Sequence, residues 1–222
     1  MKVTLTRVTT KPVMAIEEAA CNCYNSTPSE DGKIMNACYK NGHKSVLEFV
    51  DFTFHIEDVS RSLLAQLTRH RISSFAVRSQ RYVVETNINW IVPETIKNNP
   101  EALQLFNDFH NQTEQTYHKL LDLEIPAEDA RYILTNACPT ILQVKMDLTA
   151  LIHFMNERLC SRAQWEIREL AIKMKQEIVK DYPQFSKMLV PKCEMYSPYC
   201  FCTEQKSCGR HPKLKEVYKT ED

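Results

Sequence analysis

Between Ser60 and Val84 the chain carries Arg61, Arg69, His70, Arg71, Arg78 and Arg81 and no acidic residue. Ser73, Ser74, Ser79 and Gln80 add hydroxyl and amide donors to the same stretch. Guanidinium forks flanked by hydroxyls suit an oxyanion, phosphate above all, because they donate in matched pairs. A short basic run also suits the negative end of a helix dipole, so a solvated helix end is the other reading of Arg69-His70-Arg71. The neighbouring serines favour a phosphorylated small molecule. Farther on, Arg158 lies seven residues after Leu151 and three after Met155, on their apolar helix face. A guanidinium turned inward needs an anion or carbonyl partner. A ligand and a structural salt bridge are equally good answers from the sequence alone.

The thiols give a weaker signal. Of nine cysteines, Cys193, Cys200, Cys202 and Cys208 crowd the C-terminal end beside His211. Zinc knuckles favour paired cysteines two to four residues apart, which this spacing lacks. The tail is therefore read as reduced thiols packed on the domain, with structural zinc the lesser alternative and no metal ligands assigned. Cys21, Cys23 and Cys38 are placed in the core or near the site. His55 is placed on the polar side of a strand, and His110, His118 and His211 have no supporting constellation.

These groups must be carried by a recognisable set of elements. Apolar spacing predicts a helix over 13–24, a loop over 25–32 and a short helix ending at Asn41-Gly42. Residues 49–57 alternate as a strand, with Val50, Phe52, Phe54 and Ile56 on one face. A helix follows over 59–71, capped by Asp58 or Ser60. Residues 82–85 begin as a strand and 140–146 form another. Helical spacing covers 94–123 and, as the longest helix, 148–179, with Pro126 at the first turn of another helix between them. The order predicts an α+β fold: one domain over 1–222, a small mostly antiparallel sheet packed on long helices, and a Cys-rich tail over 191–222.

Composition narrows the function. Three glycines, far apart, form neither a Walker loop nor a G-x-G-x-x-G turn, so side chains or helix ends must hold any phosphate. With 28 basic and 28 acidic residues, the net charge of zero argues against a nucleic-acid polymer or an anionic membrane as partner. No apolar run approaches the roughly 20 residues of a membrane span. The opening residues are too polar for a signal peptide, and the expected location is cytoplasmic.

Arg69-His70-Arg71, seven residues, then Ser79 matches the R-H-R-x7-S signature of flavin-dependent thymidylate synthases. Around it stand Gly42-His43-Lys44-Ser45-Val46-Leu47-Glu48, Phe52-Thr53-Phe54, Ser60-Arg61, Ser79-Gln80-Arg81-Tyr82-Val83 and Ala163-Gln164-Trp165-Glu166-Ile167-Arg168. Together, in this order, the segments resemble that family from about Ala19 to Arg210.

The resemblance implies conversion of dUMP to dTMP, with methylenetetrahydrofolate as carbon donor and NADPH as reductant through FAD. It implies a homotetramer whose active sites form between subunits. Carried over, Gln66, Arg69, Ser79, Gln80, Arg81 and Arg131 would hold dUMP. Arg158 would be the catalytic arginine against the pyrimidine. His43, Ser45, Arg69, His70, Arg71, Val77, Asp147, Thr149 and His153 fall at FAD or folate positions. The chain departs from the family at Asp147 and Thr149, where Asn and Arg are usual, and at Val77, where Gln or Glu contacts ligand. Phe49 and Arg162 replace positions that are often His. The dUMP positions are thus intact and the flavin positions partly rewritten. This leaves two alternatives: a divergent dUMP-modifying homologue, for example one hydroxymethylating without flavin reduction, or a silent nucleotide-binding homologue.

Overall fold

The computed structural model describes residues 1–217 of the chain; the last residues of the predicted tail, 218–222, lie outside them. Four strands form one antiparallel sheet in the order β1-β2-β4-β3, where β1 is Lys2–Val8, β2 Asp51–Ser60, β3 Ser74–Val77 and β4 Pro139–Asp147. The helices are α1 Pro12–Tyr24, α2 Lys33–Lys40, α3 Arg61–Leu67, α4 Glu94–Lys97, α5 Pro100–Asp122, α6 Ala127–Ala130, α7 Leu148–Arg158, α8 Trp165–Asp181 and α9 Leu214–Val217. The fold is α+β, as the order of elements predicts. Among the described residues no helix is long and apolar enough to cross a membrane.

The chain divides into two compact units. The first comprises Met1–Lys2, Ile56–Arg69 and Phe75–Gln143; the second comprises Val3–His55, His70–Ser74 and the chain from Val144 onward.

In the second unit, alternation along β2 works as the sequence predicts. Val50, Phe52 and Phe54 are fully buried, while Asp51, Thr53 and His55 are partly exposed. Phe52 meets Phe185 edge to face at 5.7 Å, the arrangement that ring quadrupoles favour. α7 begins at a true cap: the Asp147 carboxylate accepts from the Ala150 N–H at 2.8 Å. Its inner face, Leu148, Leu151, Phe154 and Met155, is fully buried. α8 starts the same way, with Gln164 accepting from the N–H groups of Glu166 and Ile167.

In the first unit, Ser60 caps α3 by accepting from the Leu63 N–H at 3.0 Å. Leu63 and Leu67 then pack inward. α5 buries only His110, Thr113 and Tyr117, and leaves Leu105 and Phe109 exposed. His110 is a structural histidine, with its ring nitrogens on the Phe106 carbonyl and the Thr135 hydroxyl.

Three expectations are corrected. The continuous helix over 148–179 is two helices, because Gln164 caps a new start after the turn at Cys160–Ala163; the longest helix is instead α5. The helix over 94–123 breaks at Pro100, whose nitrogen has no N–H to continue it. Residues 82–85 form no strand: Tyr82 is 80% exposed and the Val83 N–H closes a turn onto the Ser79 carbonyl. The third and fourth strands of the sheet are β1 and β3, both unanticipated. Smaller shifts also occur. The helix over 59–71 shortens to α3, ending two residues before Arg69, and residues 44–49 form a 3-10 turn ahead of β2.

Candidate active site

Most of the residues assigned to dUMP lie in the first unit. Gln66 sits on α3, half-buried. Arg69 is exposed just beyond it. β3 and the turn after it deliver Val77, Ser79, Gln80 and Arg81, anchored where the Arg78 N–H donates to the Ile141 carbonyl of β4. The Ser79 hydroxyl accepts from the Arg81 N–H at 3.2 Å. Gln80 is buried, and its amide donates to the Cys138 thiol at 3.3 Å. Arg81 is exposed, bonded to Glu128 at 2.8 Å and stacked over the Tyr82 ring. Arg131 donates through Nε to the Glu128 carbonyl oxygen.

Sequence reasoning missed the partners. Arg78 grips the buried Glu85 with two nitrogens, at 3.3 and 3.2 Å. Arg61 donates to the Arg78 carbonyl at 3.0 Å, yet its Nε is buried with no hydrogen-bond partner. Burial pulls the Arg61 guanidinium below its ordinary range; Cys138 and Glu85 oppose that pull, while Arg131 and Arg78 add to it. Cys138 lies fully buried here, its thiol pushed up to about 11, first by burial and then by Glu85. It is therefore protonated and unreactive at neutral pH. A signal for Glu85 was present: it is the first carboxylate after the acid-free run.

The second unit holds the remaining residues. His43 and Ser45 are exposed at the 3-10 turn Lys44–Phe49. Arg71 is exposed, and His153 is exposed on α7. None of these four makes a side-chain hydrogen bond among the described residues. Thr149 donates to the Lys44 carbonyl at 3.2 Å, tying α7 to that turn, and Asp147 is occupied as the α7 cap. The two departures from the family thus have local structural jobs.

Arg158 closes α7, and its Nε donates to His70 Nε2 at 3.1 Å. The inward arginine is satisfied by an imidazole rather than by the anion or carbonyl expected. An imidazole that accepts from a guanidinium must be neutral at that nitrogen. Burial pushes the His70 pKa down to about 4, with Arg158 and His153 adding to it. His70 also contacts the Phe154 and His153 rings edge-on, at 5.0 and 5.9 Å. Neither Arg71 nor Arg158 has a carboxylate partner among the described residues.

Arg162 and His211 line a cavity in the tail, and His211 is not isolated as expected: it lies with Cys193 and Glu194.

The two sets of side chains have distinct capacities. In the first unit the exposed Arg81 fits an anionic group such as a phosphate. In the second, the exposed donors, together with an Arg158 guanidinium held on a neutral ring, suit an electron-rich, anionic cofactor.

Known proteins are similar over most of the chain. The family model for thymidylate synthase complementing protein matches residues 4–184. A flavin-dependent thymidylate synthase from Clostridium tetani is 34% identical over 245 residues, spanning 98% of this chain and 97% of its own. One from Pyrococcus furiosus is 38% identical over 218 residues, spanning 90% of this chain and 89% of its own. The crystal structure of flavin-dependent thymidylate synthase ThyX from Helicobacter pylori complexed with FAD and dUMP superposes with a TM-score of 0.66, covering 85% of this chain and 98% of that one. At 24% identity, that superposition shows a shared fold. With the signature in place and relatives matched end to end, the chain belongs to the flavin-dependent thymidylate synthase family.

Proposed function

We propose that the chain is a flavin-dependent thymidylate synthase that methylates dUMP to dTMP, with methylenetetrahydrofolate as carbon donor and NADPH as reductant. The observation that carries this reading is Arg158 held against a neutral His70, at the centre of the family signature. Gln66, Arg69, Ser79, Arg81 and Arg131 hold dUMP, and Gln80 braces the turn from its place on Cys138. Arg81 can exchange its exposed partner Glu128 for a phosphate at little expense, since such surface pairs contribute about 0–1 kcal/mol.

Arg158 is the catalytic residue. Uracil C5 is a poor nucleophile until negative charge develops on the ring. A guanidinium at the carbonyl–imide edge stabilises that charge. The neutral His70 orients Arg158 through Nε without cancelling its charge. The C5–methylene bond forms as the C5 proton leaves. The two electrons that turn the methylene into a methyl group originate in NADPH, and tetrahydrofolate is released.

His43, Ser45, Arg69, His70, Arg71 and His153 would hold FAD or folate. Asp147 and Thr149 would support them from behind, through the α7 cap and the bond to Lys44, and Val77 would offer apolar contact. FAD, when bound, supplies the redox chemistry between NADPH and the transferred carbon. The enzyme acts in the cytoplasm as a homotetramer whose active sites are shared between subunits, in one domain over 1–222, with no membrane or nucleic-acid partner. Exposed Phe49, Ile72, Tyr82 and Tyr132 support a subunit interface.

The test is product analysis. Purified chain with dUMP, methylenetetrahydrofolate and NADPH should give dTMP, and omission of any one should stop it. Accumulation of 5-hydroxymethyl-dUMP instead would replace this reading with the divergent one. No product together with a dUMP-induced rise in Tm would leave the silent nucleotide-binding homologue.

A further inference from the structure

The Cys-rich tail has very little apolar material with which to hold its shape. From 192 to 217, Cys202 is the one buried apolar side chain among the described residues. Segments this poor in core are usually stapled by a metal or by disulfides, and all nine cysteines here are free thiols. Backbone pairing nevertheless draws distant parts of the tail together. Phe201 donates to the Cys193 carbonyl, Cys202 to that of Pro212, and Leu214 to that of Cys202.

The result is a convergence of donors that the sequence spacing hides. Cys193 Sγ, a Glu194 carboxylate oxygen and a His211 ring nitrogen all lie within 4.8 Å of one another. Ligands around a tetrahedral zinc stand roughly 3.3–3.8 Å apart, given its bond lengths of about 2.0–2.3 Å, so a small inward movement completes the geometry. Cys193 and His211 line a cavity of about 30 Å³ together with Cys160, Cys202 and Cys208, and Glu194 stands beside it, 3.4 Å from the His211 ring nitrogen. That volume suits a single ion or water molecule. A thiolate and a carboxylate match the charge of a divalent cation, and thiolate plus imidazole selects zinc over magnesium or calcium. Arg210, bonded to Glu194 at 3.3 Å, holds that carboxylate in place.

We propose that the C-terminal tail is a structural zinc site, with Cys193, Glu194 and His211 as ligands and one of the cavity thiols Cys160, Cys202 or Cys208 completing the tetrahedron. The site is separate from the thymidylate chemistry and pins the tail onto the C-terminal end of α7, where Asn156 and Glu157 line the same cavity. Its ligands come from two turns seventeen residues apart, which is why knuckle spacing does not reveal it.

The test is metal content of the full-length chain, desalted after incubation with equimolar zinc. The site predicts about one zinc per chain, lowered at least tenfold in a Cys193→Ser/His211→Ala variant and unchanged in Cys23→Ser, whose exposed thiol lies outside the cavity. Cobalt substitution of the unaltered chain gives a second readout that does not depend on the variant folding: a thiolate-to-cobalt charge-transfer band is expected. Absence of that band, undiminished zinc in a folded double variant, or a disulfide among the cavity thiols would each overturn the proposal.

Discussion

The two units hold the arginines assigned to the active site in different ways. In the first unit every bonded arginine of the signature region leans on an acceptor: Arg78 on Glu85, Arg81 on Glu128, Arg61 and Arg131 on backbone carbonyls. In the second, Arg158 leans on an uncharged imidazole, and Arg71 stands exposed. On the proposed function, carboxylate pairing keeps a basic cluster posed until a ligand phosphate displaces an exposed partner. Pairing with a neutral ring fixes direction while leaving the whole positive charge to act on a developing anion. One arrangement suits holding a nucleotide; the other suits activating it.

The largest effect should come from the second unit. Arg158→Ala should lower turnover by about 10²–10³ or more, the loss typical of one electrostatic donor. It should also raise the His70 pKa, since Arg158 is one cause of its depression, while burial keeps it below the usual 6.5. Full activity in this variant would remove the distinction between the units.

In the first unit Glu85→Gln should leave chemistry intact but cost about 1–3 kcal/mol, read as a lower urea midpoint, because it unpairs a half-buried guanidinium. An unchanged midpoint would show that Arg78 does not depend on its partner.

The same contrast governs pH. His70 is held down near 4 in the folded chain, so between about 4 and 6.5 the unfolded chain binds more protons. This contribution to stability is complete above 6.5 and is lost as pH falls through 4. Melting curves should therefore show Tm falling over that window, more steeply in the unaltered chain than in His70→Gln. Equal slopes would mean that His70 is not held neutral.

Two smaller effects separate structure from function. Asp147→Ala should cost about 1 kcal/mol through loss of the α7 cap. Asp147→Asn, which restores the family residue and can still cap, should not. Glu128→Gln frees Arg81, and should tighten dUMP by about two- to fivefold in a calorimetric titration while moving stability by less than about 1 kcal/mol.

The legible parts of this fold are those where one local rule suffices. β2 and β4 read as strands because burial alternates along them. α1, α2 and α7 read as helices because their apolar spacing is regular. The failures have physical causes. β1 and β3 occupy the two edges of the sheet, where pairing partners are set by tertiary contact and the apolar pattern is thin. The run Tyr82-Val83-Val84 has strand propensity yet ends in a turn, because Arg78 and Glu85 close on each other across it. Helical spacing runs on from α7 into α8, so only the Gln164 cap marks the break.

For the site, residue types were legible and partners were not. Arginine and serine chemistry pointed to phosphate. His70 as the acceptor for Arg158, across 88 residues, and Cys138 as the acceptor for Gln80 are products of folding alone. The tail reverses the lesson: the residue types were noticed, and their spacing concealed a convergence that backbone pairing creates.

The most direct test of the central claim is the visible absorption spectrum of the purified chain. The account predicts the bands of an oxidised flavin, present on purification or after incubation with FAD, that bleach when NADPH is added without oxygen and return when dUMP and methylenetetrahydrofolate are converted to dTMP. A chain that stays colourless after incubation with FAD, with no dTMP formed, would contradict it.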